Sequence, residues 1–152
     1  MKYYYDKINF IYETKFNLYN EILFSKLLGF IFKKEKKKIK KINYIFCEDK
    51  FLMKINKKFL KKNSYTDVLT FKYSENNIIS GEIFISINRI KFNSLKFKNS
   101  FYDELKRVII HAGLHLIGYN DIKKYEKNLM SKKEDFYLFF FKKKNIINKY
   151  YV

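Results

Sequence analysis

Proline and tryptophan are absent from this chain of 152 residues, glycine occurs 4 times, histidine twice and cysteine once. A lone cysteine, Cys47, excludes an intramolecular disulfide and fits a reducing compartment, so a cytoplasmic location is expected. Neither a Pro-rich nor a Gly/Ser-rich linker divides the chain, and no repeat period is visible. Residues 1–152 therefore read as one domain, with 142–152 as a tail that frays. Long apolar runs are missing as well. The opening MKYYYDKINF has no continuous apolar segment and Phe136 to Phe141 is too short to span a bilayer, so neither a secretory signal nor a membrane helix is expected.

What is abundant is lysine, isoleucine, asparagine, phenylalanine and tyrosine. The hydrophobic fraction of 47% is enough for a folded core. Lys and Arg number 33 against 15 Asp and Glu, a formal net charge of +18. Two readings of that charge stand. One is a positive field that attracts a polyanion; the other is drift, since AT-rich codons encode these same residues.

Periodicity gives the element order. Lys7 to Thr14 alternates as a strand, and Asn17 to Phe32 repeats apolar residues at helical spacing. The run Lys33 to Lys41 reads as a solvated turn, with an RNA contact as the alternative, before a second strand over Lys41 to Cys47. Asp49 caps a helix reaching Leu60, and Thr66 to Tyr73 and Gly81 to Ile87 form an antiparallel hairpin. A short helix follows over Asn88 to Phe97. Ser100-Phe101-Tyr102-Asp103 opens another as a capping box, Gly118 ends it, and a last helix spans Ile122 to Phe141. The expected fold class is α+β, a small mixed sheet of about four strands covered by helices.

The segment with chemistry is His111-Ala112-Gly113-Leu114-His115-Leu116-Ile117-Gly118-Tyr119-Asn120-Asp121. Residues four apart share a helix face, so both imidazoles can reach one cation. Two histidines placed at random in such a chain fall four apart only about one time in eighty, which favours a metal over coincidence. Past Gly118 the chain turns, and Asp121 is either a third ligand or the N-cap of the next helix; spacing leaves the two level. A metallopeptidase is disfavoured: H-E-x-x-H needs a Glu beside the first histidine, and that position is Ala112.

These residues resemble the YbeY family of bacterial endoribonucleases, whose signature is H-G-x-L-H-L-x-G-Y-D-H. His111, Leu114, His115, Leu116, Gly118 and Tyr119 match, and Gly113 stands one place from the family glycine. Upstream, Asn56 with Phe59, Thr66 to Phe71 and Gly81 to Ser86 are similar to further family segments, so the resemblance covers about Asn43 to Glu134. It implies one zinc ion on His111, His115 and Asp121, the last replacing the third family histidine as in Bacteroidetes-type members. Where the family carries a phosphate-holding arginine, this chain has Leu60 followed by Lys61 and Lys62, and Lys61 is the expected stand-in. His115 and Lys61 are thus the expected catalytic residues; no general base is placed by the sequence, and Asp67 and Glu82 are candidates whose favoured reading is a structural strand-end or rim role. The resemblance further implies cleavage of single-stranded RNA, maturation of the 3′ end of small-subunit ribosomal RNA, and ribosomal RNA and the small ribosomal subunit as partners, with no DNA and no membrane. The rival is a non-catalytic ribosome-assembly factor whose metal braces the fold.

Overall fold

The computed structural model describes residues 7–60, 67–73 and 76–143. Its elements are β1 (Ile8–Tyr12), α1 (Glu21–Lys34), β2 (Lys38–Cys47), α2 (Asp49–Leu60), β3 (Val68–Lys72), β4 (Ile78–Ser86), α3 (Ile87–Lys96), α4 (Phe101–Leu116) and α5 (Lys124–Lys142). The strands form one sheet in the order β1-β2-β4-β3. β1 lies parallel to β2 with Ile8 opposite Ile42, and β2 parallel to β4 with Tyr44 opposite Ile83. β3 closes the edge antiparallel to β4, with Thr70 opposite Ile83. The fold is the α+β arrangement with a mixed four-stranded sheet that the periodicity predicts.

Side chains alternate across a strand, so each face of the sheet has its own cover. Ile42, Tyr44 and Phe46 of β2 and Ile83 and Ile85 of β4 join the main core, which α1, α4 and α5 complete with Phe24, Leu28, Phe32, Ile109, Ile110, Leu114 and Tyr137. On the other face Cys47 and Leu69 pack against Leu52 of α2. Burial pushes the Cys47 thiol up to about 12, with nearby carboxylates adding to the shift, so it is a packing residue and not a nucleophile.

Several boundaries differ from the sequence expectation, each for a local reason. The basic run is not one turn: α1 takes it through Lys34 and β2 begins at Lys38, leaving Glu35–Lys37 between them, with Lys36 at φ 57°. A bulge between Ile39 and Lys41 lets both Ile39 and Ile42 face inward, which breaks the alternation that marks a strand. α1 starts at Glu21 because the Asn20 side chain accepts from the Leu23 N–H at 3.1 Å. Asp49 is the first residue of α2 and not its cap; its carboxylate accepts from Ser86 and from Arg89 Nε at 3.2 Å, tying α2 to α3. Ser100 does cap α4, accepting from Asp103 N–H at 3.1 Å.

Candidate metal centre

α4 points Ile109, Ile110 and Leu114 into the core, and His111 and His115 leave the helix on the side facing β3. Their rings lie 6.5 Å apart between centroids and within 10° of parallel. The helix then stops in a Schellman turn. Gly118, at φ +118°, donates to the His115 carbonyl at 3.1 Å, and Tyr119 N–H donates to the Leu114 carbonyl at 3.1 Å. A side chain at 118 would be strained in that conformation, which accounts for the glycine.

The turn fixes one imidazole. Tyr119's carbonyl comes back beside His115 Nδ1 at 2.9 Å, and a carbonyl only accepts, so Nδ1 carries the proton and the Nε2 lone pair stays open. His111 is held likewise from another quarter: Nδ1 lies 2.7 Å from Glu134 Oε2 on α5, and Nε2 lies 3.4 Å from Asp121 Oδ2. Burial alone would depress the His111 imidazolium, but the Glu134 hydrogen bond and the charges of Glu134, Asp121 and Asp67 outweigh it and raise the group above its usual value.

Asp121 is no helix cap, because α5 begins at Lys124 and Glu126 accepts from the Lys123 N–H at 2.8 Å. Its carboxylate shares with His111, His115 and residues 67–70 a cleft of about 300 Å³. Asp67 lies on the opposite wall; burial raises its carboxyl above the usual range, Asp121 adds to the shift and His111 opposes it. Glu82 is elsewhere, accepting from the Tyr73 hydroxyl at 3.1 Å. Lys61 and Lys62 lie outside the described residues.

The donor set suits a cation. With Nδ1 of His111 donating to a carboxylate, Nε2 and Asp121 Oδ2 are two acceptors facing each other, a repulsive pair unless positive charge sits between them. A proton on Nε2 or a metal ion meets that need. Two imidazoles and a carboxylate are also the ligand types of hydrolytic zinc sites. Among the described residues, no group of three or more His, Cys, Asp or Glu is close enough together to hold a metal ion.

Two supports escaped the sequence reading. Glu134 is 23 residues from His111, with no local pattern joining them. Glu35, in the C-cap position of α1, accepts from the hydroxyls of Tyr119 and Tyr137 and from Lys133 Nζ at 3.0 Å, so it anchors the turn whose carbonyl holds His115. Tyr119 is visible as a motif residue; its partner is not.

The family model for endoribonuclease YbeY matches residues 9–142. A relative of that name from Karelsulcia muelleri is 65% identical over 91% of this chain and 99% of its own. Another, from Flavobacterium johnsoniae, is 45% identical over 84% of this chain and 92% of its own. The solution structure of the Thermotoga maritima protein TM1509 superposes with a TM-score of 0.63 at 30% identity, covering 86% of this chain and 85% of that one. With its histidine pair, its Gly118 turn and similarity along nearly the whole length, the chain belongs to the endoribonuclease YbeY family.

Proposed function

We propose that this protein is a metal-dependent endoribonuclease that cleaves single-stranded RNA, with one zinc ion held by His111, His115 and Asp121. Family membership supports the RNA substrate. The observation that carries the metal reading is the commitment of both Nδ1 atoms, which leaves two Nε2 lone pairs and the Asp121 carboxylate on one cleft. A zinc ion bound there would polarise a phosphoryl oxygen and acidify a water. Asp67, desolvated on the facing wall, accepts a proton from the nucleophile, and its raised carboxyl brings it nearer the working pH. His115 serves as ligand, and Lys61 holds a flanking phosphate as a point charge. The RNA is the 3′ region of small-subunit ribosomal RNA, met on the small subunit in the bacterial cytoplasm. Among the described residues no helix is long and apolar enough to cross a membrane.

The test is cleavage of a single-stranded RNA during chelator stripping and zinc add-back, with circular dichroism alongside. Activity that follows occupancy at constant ellipticity is expected. Cleavage indifferent to stripping removes the metal from the reaction, whereas loss of the fold with the metal favours the non-catalytic assembly factor.

A further inference from the structure

We infer that Glu134, held by Arg107, is a positioning residue for the metal centre: it fixes His111 in the Nδ1–H tautomer and so sets the affinity of Nε2 for the ion. The inference rests on the metal reading above and extends it to α5. Glu134 is only 7% exposed. One carboxylate oxygen accepts from Arg107 Nη1 at 2.8 Å and the other from His111 Nδ1 at 2.7 Å. Arg107 stands one helical turn before His111 on α4, and its second nitrogen bonds Asp135 at 2.8 Å, so two adjacent α5 carboxylates grip the guanidinium.

Each part of this arrangement narrows what His111 can do. A free imidazole in water prefers its proton on Nε2, the atom that must be bare to bind a metal. A carboxylate offers no proton, so contact with Glu134 draws the ring proton to Nδ1 and turns the Nε2 lone pair to the cleft. The negative charge also makes Nε2 more basic and a better donor to a cation. Arg107 keeps the carboxylate in place and offsets part of the charge buried with it. His115 reaches the same tautomer through a neutral carbonyl, that of Tyr119, so the two ligands differ in the charge behind them. His111 is the more strongly supported of the pair.

The chain has 2 histidines, so their ring nitrogens can be resolved by NMR without ambiguity. In apo protein at alkaline pH, wild type should show Nδ1–H for both. Glu134→Ala should return His111 towards Nε2–H and leave His115 as an internal control. Glu134→Gln keeps the shape and one acceptor if the alanine variant does not fold. It should weaken zinc about 10- to 100-fold in chelator competition, at unchanged apo ellipticity. His111→Ala is the reference. If it loses zinc while Glu134→Gln binds as wild type, the positioning role is rejected and the metal site stands. If His111→Ala binds zinc as wild type does, the metal reading itself falls, and this inference with it.

Discussion

At the scale of single residues, Asp121 shows how one position is decided by its distance from the next helix. Asn and Asp cap helices about equally well, so a capping Asp121 would tolerate Asp121→Asn in every respect. With α5 starting three residues later and Oδ2 3.4 Å from His111 Nε2, the substitution instead removes the charged oxygen on which the proposed site depends. Zinc affinity by chelator competition should fall at least tenfold in Asp121→Asn while thermal unfolding of the apo protein stays within about 0.5 kcal/mol, the usual range for surface changes. His111→Ala and His115→Ala should each abolish stoichiometric zinc. One full equivalent of zinc by elemental analysis in either purified variant contradicts the site.

At the scale of elements, Glu35 joins α1, the turn after α4 and α5 through one carboxylate. Burial works to raise its carboxyl, but the hydrogen bonds from Tyr119, Tyr137 and Lys133 outweigh this and hold it below the usual 4.5. A folded value below the unfolded one means that stability from this group is complete above pH 4.5 and drains as pH falls through the lower folded value. Glu35→Gln should therefore cost about 1.5–3 kcal/mol at pH 7, the range for hydrogen bonds to a charged group, with the gap to wild type narrowing below pH 4.5. Urea titrations at pH 7 and pH 3.5 measure it, and a gap that does not narrow on acidification rejects the carboxylate as its source. The contact of α4 with the sheet has a comparable test. A Cβ at Gly81 would stand 2.5 Å from the Phe71 carbonyl oxygen and 2.6 Å from Leu116 Cδ1. Backbone cannot withdraw as a side-chain end can, so Gly81→Ala should destabilise by about 1–3 kcal/mol as an overpacked site. An unfolding midpoint equal to wild type would show that β3 moves freely from β4.

At the scale of the whole molecule, the charge of +18 separates selection from drift by a measurable slope. If the lysines meet phosphates, log K for a single-stranded RNA should fall linearly with log salt, by about 0.7 per contact. A flat response between low and physiological salt assigns the lysines to composition alone. The cation–ring contacts give the charge no single address: Lys34 of α1 stands over Phe136, Lys58 of α2 over Phe59, and Arg89 and Lys96 of α3 over Phe92 and Phe97, so they spread over three helices.

Local rules carried the reading wherever the cause lies within a few residues. The order of the elements follows from hydrophobic period, the cap at Ser100 and the stop at Gly118 from backbone chemistry, and the shared face of His111 and His115 from the helical repeat. Those rules failed at Lys38 to Lys41, where a bulge set by pairing with β4 hides the alternation. They did not say which strands lie side by side, in the order β1-β2-β4-β3, because alternation shows a strand but not its neighbour. Only packing decided how the histidines are supported. Glu134 reaches His111 across 23 residues and Glu35 reaches Tyr119 across 84, and hydrogen bonds of that span exist only once α1, α4 and α5 have closed over the sheet. The sequence by itself determined which groups can ligate; the tertiary structure decided which nitrogen of each ring faces the cleft, because that depends on the partner brought to the other nitrogen.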